Sequence, residues 1–321
     1  MQVTRCISLG FLIGLVLTVP VRAADWPKQP VTVVVPFGAG GNTDTMARMV
    51  SQRLQERLGQ PFLVDNRGGA GGAIAMAQIA RAPADGYTLV FEASPQIQIV
   101  PLLRQVNYDP IKDFVPISVF GAGPFVLGVQ KSVPAQNLQE FIAYAKQQGG
   151  KINYGSGGPG TVAHLAGAMF SQRAGFEATH IPYKGGGQAV GDLIAGLTEM
   201  YFGNASELVQ ANGTGKVTII AVSSEQRMPQ FPGVPTISET MSDFVLASWN
   251  GFMAPAQLPK PIVELLAKEV AEIAREPAIE KRLFDLGIKP VGDTPSEFAA
   301  TIQKEMPFFA AAVKAAGIGA Q

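Results

Sequence analysis

Val31-Thr32-Val33-Val34-Val35-Pro36-Phe37-Gly38-Ala39-Gly40-Gly41-Asn42-Thr43-Asp44 is a β-branched run broken by a proline and a glycine loop. Side chains branched at Cβ favour extended backbone, and proline cannot continue a central strand. Beyond the loop, Ala47, Val50, Leu54 and Leu58 recur at helical spacing, with Arg48, Arg53, Glu56 and Arg57 at other positions. Gly59 and Pro61 then supply a helix stop, and Phe62-Leu63-Val64 reads as a second strand. Strand, glycine loop, helix and strand form a βαβ start, which predicts an α/β protein built on parallel strands.

The unit recurs along the chain. Asn66-Arg67-Gly68-Gly69-Ala70-Gly71-Gly72 leads into a helix of small residues ending near Ala80, and Tyr87-Thr88-Leu89-Val90-Phe91 is a strand closed by Ser94-Pro95. Phe114-Val115-Pro116-Ile117 and Pro124-Phe125-Val126-Leu127-Gly128-Val129 read as two further strands, and a helix follows from Leu138 to Gln148. Ile152-Asn153-Tyr154 meets Gly155-Ser156-Gly157-Gly158-Pro159-Gly160-Thr161, and Val162, Leu165, Ala166 and Met169 open the next helix. Tyr183-Lys184-Gly185-Gly186-Gly187 precedes another, with Val190, Leu193, Ile194 and Leu197 in register. Val217–Val222 is a late strand, and the tail is helical through Val263, Leu266, Val270 and Ile273 and again from Phe298 to Lys314. Two such units far apart, at 31–58 and 152–170, predict two α/β lobes. Ligands of open α/β sheets bind beyond the carboxyl ends of the strands, so a cleft between lobes sets the loops at 36–44 and 155–161 face to face.

Composition narrows the function. The 321 residues carry 25 Lys+Arg against 25 Asp+Glu, 47% hydrophobic and only 16% charged side chains, with 36 Gly and 24 Pro. A nucleic-acid binder would show a basic surplus, and a disordered chain would show low hydrophobicity with high net charge. Two His and one Cys leave no material for a Cys/His zinc site, and neither a metal nor a cofactor is expected. At the N-terminus Arg5 precedes an apolar run of 13 residues, Ile7–Val19, followed by Val21-Arg22-Ala23. This is the pattern of an export signal, residues 1–23, cleaved after Ala23. The run is short for a bilayer span, which needs roughly 20 residues. Cleavage removes two arginines and the lone Cys6, leaving 23 basic against 25 acidic residues and no thiol. The expected location is the periplasm.

A glycine loop ahead of a helix forms an anion site without a basic residue, because the first-turn N–H groups have no partner inside the helix. Tight turns alone would also account for any one of these loops. Gly155-Ser156-Gly157-Gly158-Pro159-Gly160 matches G-x-G-x-x-G formally, but Glu177 is a poor candidate for the acidic residue that a dinucleotide fold places about 20 positions on. Catalytic material is thin. No G-x-S-x-G surrounds Ser94, Ser156 or Ser206. His164 lies near the proposed anion site, where a hydrogen-bonding role is favoured; an exported hydrolase using His164 is the competing reading. His180 reads as a strand-end structural residue, Asp44 as a dipole partner or loop anchor, and Trp249 as a packing residue.

As a set, the motifs resemble a known family. Pro36-Phe37-Gly38-Ala39-Gly40-Gly41-Asn42-Thr43-Asp44-Thr45-Met46-Ala47-Arg48, Val64–Gly72, Pro83-Ala84-Asp85-Gly86-Tyr87-Thr88-Leu89, Tyr154–Thr161 with His164-Leu165, Ile181–Gly186, Phe231-Pro232-Gly233-Val234-Pro235-Thr236 and Trp249-Asn250-Gly251 occur in order over almost the whole exported chain. This series is similar to the Bug (Bordetella uptake gene) or TctC family, periplasmic substrate-binding proteins of tripartite tricarboxylate transporters. The resemblance implies a two-lobed type II periplasmic-binding-protein fold, with residues 24–123 and 250–321 in lobe 1 and 124–249 in lobe 2. It implies no chemistry but capture of a small carboxylate, a di- or tricarboxylate or an aromatic acid. A monomer would then deliver the ligand to membrane transporter subunits or a sensor. By position it carries over Phe37, Gly40, Gly41, Asn42, Asp44 and Ser94 from one lobe, and Ser156, Gly158, Thr161, His164 and Asn204 from the other. Two departures stand out. Phe202-Gly203-Asn204 replaces the Phe-Asp-Asn of many relatives, removing a partner for a ligand ammonium and predicting a non-amino acid. Val100-Pro101 replaces a frequent Asn-Pro and predicts a more apolar wall.

Overall fold

The computed structural model describes residues 26–318; the export signal expected at 1–23 lies outside them. The chain opens with β1 (Val31–Val35), α1 (Asn42–Leu58), β2 (Phe62–Asn66), α2 (Ala73–Ile79) and β3 (Thr88–Ala93). Two single-turn helices follow, α3 (Pro95–Gln98) and α4 (Val100–Leu103), and then the long strand β4 (Phe114–Gln130). Next come α5 (Leu138–Gln147), β5 (Ile152–Ser156), α6 (Val162–Ala174), β6 (Ala178–Pro182), α7 (Gly186–Ala195), β7 (Met200–Asn204), α8 (Ala205–Asn212) and β8 (Val217–Val222). The chain returns through β9 (Ala247–Pro255), α9 (Lys260–Ala274), α10 (Pro277–Asp285), the short β10 (Lys289–Pro290) and α11 (Pro295–Ala315).

β1 pairs in parallel with β2 and β3, as the opening motif predicts. β9 runs antiparallel between β3 and the first part of β4. At Pro124/Phe125 the partners of β4 change: Pro124 faces Ala247 of β9, whereas Phe125 faces Asn204 of β7. From there β4 lies between β7 and β8, and β7 continues the sheet through β5 to β6. One strand therefore belongs to both lobes. The sequence reads it as two, Phe114–Ile117 and Pro124–Val129, on either side of Gly121-Ala122-Gly123. Those glycines instead admit the α10–β10 turn: a Cβ at Gly121 would stand 2.7 Å from the Ile288 side chain, and one at Gly123 3.1 Å from the Gly287 carbonyl.

The sheet is mixed, parallel at β2-β1-β3 and β7-β5-β6 and antiparallel around β4 and β9, and its buried strands are covered on both faces. In the first lobe α1 and α9 pack Val50, Leu54, Leu266 and Val270 on one face, while Met76, Trp249, Phe298 and Ile302 cover the other. The second lobe is built around Phe141, Phe170, Phe202 and Phe244. α11 joins the two: Phe298 and Ile302 lie in the first lobe's core, and Phe309 and Val313 in the second's, on either side of Pro307. Trp249 packs edge-on against Phe298 with ring centroids 4.7 Å apart.

Glu92 of β3 is fully buried, and neither carboxylate oxygen has a hydrogen-bond partner among the described residues. Burial pushes its pKa well above the ordinary 4.5. Between 4.5 and that raised value the folded chain holds a proton that the unfolded chain has lost, so stability falls as pH rises through the interval. Glu92→Gln removes this penalty. The expected result is a melting temperature equal to that of the natural chain near pH 4.5 and higher by a few degrees at pH 8, measured by circular dichroism. Parallel curves for the two proteins would contradict it.

Candidate ligand site

The N-terminus of α1 rests on Gly41, whose extended backbone (φ −88°, ψ 179°) offers no side-chain cap. The loop ahead of it is held by Asp44: its carboxylate accepts the Gly40 N–H (2.9 Å) and the Arg48 guanidinium (3.1 Å). Arg48 reaches on to Asn66, whose amide donates to the Phe37 carbonyl (3.1 Å). Burial raises the Asp44 pKa, but Arg48 and the Gly40 amide outweigh it and hold the group below its ordinary value. On the other lobe Thr161 caps α6, its Oγ1 accepting from the His164 N–H and donating to the Gly158 carbonyl (2.8 Å).

The two lobes touch in this structure. Gly38 donates to the Lys184 carbonyl (2.8 Å), and the Asn42 N–H donates to Glu207 Oε1 (3.0 Å). Ser206 Oγ donates to Asn42 Oδ1 (2.7 Å), while the Asn42 amide donates to Asn250 Oδ1 (2.9 Å). Asn250 in turn donates to Thr43 Oγ1 (2.8 Å), so one amide–hydroxyl chain runs from α8 through α1 to β9. Glycine makes this approach possible. A Cβ at Gly187 would stand 2.9 Å from the Ala39 carbonyl oxygen, and one at Gly185 2.9 Å from the Gly38 nitrogen.

Between the lobes lies a cavity of about 40 Å³, against roughly 10–15 Å³ needed by one water on the same measure. Its wall combines apolar residues, Phe37, Pro95, Phe125 and Val162, with polar ones, Asn42, Thr43, Thr161, Asn204, Ser248 and Asn250. The N-terminal turns of α1, α6, α7 and α8 all contribute to it, through Asn42, Val162, Gly186 and Glu207. No Lys, Arg or His lines it. Helix N-termini contribute a positive potential from aligned peptide dipoles, part of which Glu207 already meets by accepting the first N–H of α1.

Of the residues expected from sequence, Phe37, Gly41, Asn42, Asp44, Thr161 and Asn204 line this cavity. Gly40 lies outside it, beside an adjoining groove with Thr45, Val190 and Gln210. Ser94 is fully buried, with its hydroxyl 3.0 Å from that of the lining residue Ser248. Ser156 is equally buried; its Oγ accepts the Gly158 N–H (3.0 Å) and is hydrogen-bonded to His180 Nε2 (2.6 Å). Gly158 faces Gly71 across the lobes at φ 125°. The His164 ring stacks on that of His180 with centroids 3.9 Å apart, and its Nδ1 accepts the Gly160 N–H (3.2 Å). Burial lowers the pKa of His164 to about 4 and, with the neighbouring His164, that of His180 to about 3. Both rings are thus neutral spacers behind the glycine loop, and the hydrolase reading gains nothing from their placement.

Sequence reasoning missed Glu207. It accepts the Asn42 N–H, the Tyr201 hydroxyl (2.8 Å) and the Asn204 N–H (3.1 Å). Burial raises its pKa, and these donors, together with the Asn204 side chain, work against the rise. The carboxylate that Gly203 is read as removing is therefore present in the cavity wall, supplied from the next turn. Its signal was legible: Asn204-x-x-Glu207 is the spacing of a capping box, and the box is formed. Position 203 could not hold an aspartate in this packing, since a Cβ there would stand 2.6 Å from the Tyr201 ring. Val100, read as a pocket wall, packs instead against Gly160 and Gly71 behind the loops.

Two α/β lobes joined by a shared strand, with a small cavity between them ringed by helix N-termini, define a solute-binding protein of the periplasmic type. Residues 46–318 match the tripartite tricarboxylate transporter family receptor (TctC) family. The chain is 34% identical to Protein BugT of Bordetella pertussis, with 99% of each chain covered. Among solved structures it is similar to Rhodopseudomonas palustris Rpa4515 with adipate (33% identity, TM-score 0.90, 92% of this chain and 100% of that one). It is likewise similar to the periplasmic binding protein BugD (32% identity, TM-score 0.88, 92% and 100%). The chain belongs to the TctC family.

Proposed function

We propose that the protein captures a small carboxylate between its lobes, closes on it, and presents the closed form to membrane transporter subunits or a sensor. The observation that carries this reading is the convergence of four helix N-termini on a cavity that no basic side chain lines. Hydrogen bonds to a charged acceptor contribute about 1.5–3 kcal/mol each. Reversing an open-to-closed ratio from 99:1 to 1:99 needs about 5.5 kcal/mol, so three or four such bonds suffice. In this reading Phe37, Gly41, Asn42, Asp44, Thr161 and Asn204 meet the ligand or its waters. Gly40, Ser94, Ser156, Gly158 and His164 hold the loops that present them. In this reading the lobes divide within β4 near 124 and again just ahead of β9 near 247, α11 reaches from the first lobe onto the second, and the protein works in the periplasm after cleavage at Ala23. The adipate bound by Rpa4515 supports the ligand class. Native mass spectrometry of freshly purified protein, followed by calorimetry with the retained acid, tests the proposal. A retained carboxylic acid that binds without being turned over is expected; turnover of that acid would instead favour an enzyme.

A further inference from the structure

The first N–H of α1 is already taken by an anion of the protein itself. Glu207 Oε1 lies 3.0 Å from the Asn42 nitrogen, across the lobes. The same oxygen sits in a glycine cradle: a Cβ at Gly186 would stand 2.1 Å from it and one at Gly41 3.2 Å. Glu207 thus occupies the ends of α1 and α7 and the first turn of its own helix, α8. Among the described residues its two oxygens accept from the Asn42 N–H, the Tyr201 hydroxyl and the Asn204 N–H, which is the pattern of an ionised carboxylate. Asp44, the other acid in the wall, is neutralised by Arg48, but among the described residues no cation is paired with Glu207. The N-terminus of α6 is different. Val162 and Ala163 line the cavity there, and among the described residues their N–H groups meet no protein acceptor. The wall also offers Phe37 and Phe125 to a carbon skeleton.

We propose that Glu207 is a resident anion that sets the charge of the ligand: the cleft takes an acid with a single carboxylate, held at the N-terminus of α6, and selects against di- and tricarboxylates. A second ligand carboxylate would share a cavity with an ionised glutamate and no cation, and like charges in a poorly solvated space repel strongly. Selectivity of this kind comes from a built-in repulsive group as much as from attraction. Within the carboxylates implied by the family resemblance, this points to aromatic and other monobasic acids. The inference rests on the proposed carboxylate-binding function.

The test is calorimetry with pairs matched in skeleton, butyrate against succinate, hexanoate against adipate and benzoate against phthalate, on the natural protein and on Glu207→Gln. Glutamine serves in a capping box as glutamate does, so the helix start is retained, and a melting curve checks it. In the natural protein the monobasic member of a bound pair is expected to bind at least tenfold more tightly. In Glu207→Gln that preference should shrink at least tenfold. A dibasic acid binding the natural protein as tightly as its monobasic partner overturns the assignment, whatever the variant does. A preference unchanged in folded Glu207→Gln overturns it as well. Binding of neither member of any pair, in a protein from which no carboxylate can be recovered, removes the carboxylate reading itself and this inference with it.

Discussion

Gly41→Asp is expected to abolish ligand binding and leave the protein folded. The backbone at Gly41 (φ −88°, ψ 179°) is open to any residue, and the position is the N-cap of α1. Aspartate at an N-cap is favoured over glycine by a few tenths of a kcal/mol, so the lobe itself loses nothing. The cost appears when the lobes meet. A Cβ at this position stands 3.2 Å from Glu207 Oε1 and 3.4 Å from the Gly187 nitrogen. Closure would then bury two carboxylates side by side, at about 4 kcal/mol for unit charges 4 Å apart with an effective dielectric constant near 20. At about 1.4 kcal/mol per decade, roughly a thousandfold of affinity is lost. Calorimetry should show no binding heat while circular dichroism and the melting temperature of the unliganded protein hold. Gly41→Asn, which caps the helix without a charge, should lose much less. An affinity for Gly41→Asp within threefold of the natural protein would sink the argument.

Gly187→Ala should move stability and affinity in opposite directions. Gly187 is the second residue of α7 (Gly186–Ala195), and alanine in a helix is favoured over glycine by up to about 1 kcal/mol. Yet its Cβ would meet Ala39 and Gly40 of the opposite lobe, at 2.9 Å from a carbonyl oxygen and 2.9 Å from a backbone carbon. Backbone cannot swing aside as a side chain can, so the methyl acts as a wedge that only the closed form encounters. The unliganded melting temperature is expected to hold or rise slightly, and affinity to fall at least tenfold. Unchanged affinity would show that this glycine seam is not part of the closing surface.

Much of this arrangement was legible in the chain. Val31–Asp44 announced a strand, an anion-binding loop and a helix, because β-branching, glycine and helical spacing act within one turn of the backbone. Tyr154–Thr161 announced its counterpart for the same reason. The residues lining the cavity are legible where they sit on those turns, as Asn42 and Thr161 do. The spacing Asn204-x-x-Glu207 announces only a helix cap, and Ser248 and Asn250 only a strand, so their place in the cavity wall was not legible. The neutral His164–His180 stack was equally hidden: the residues are 16 positions apart, on a helix and a strand that tertiary packing brings to 3.9 Å.

The formal charge balance spoke against a nucleic-acid binder and the two His and one Cys against a Cys/His zinc site, while the recurring strand, glycine loop and helix predicted a two-lobed α/β protein. Those conclusions follow from local conformational preference, which sequence carries directly. The continuity of β4 through both lobes, the glycine seam along which they meet and the glutamate at the end of α1 were decided by the tertiary structure alone. Each depends on how close two distant backbones come, and a glycine reads the same in a sequence whether it turns the chain or lets another chain segment touch it.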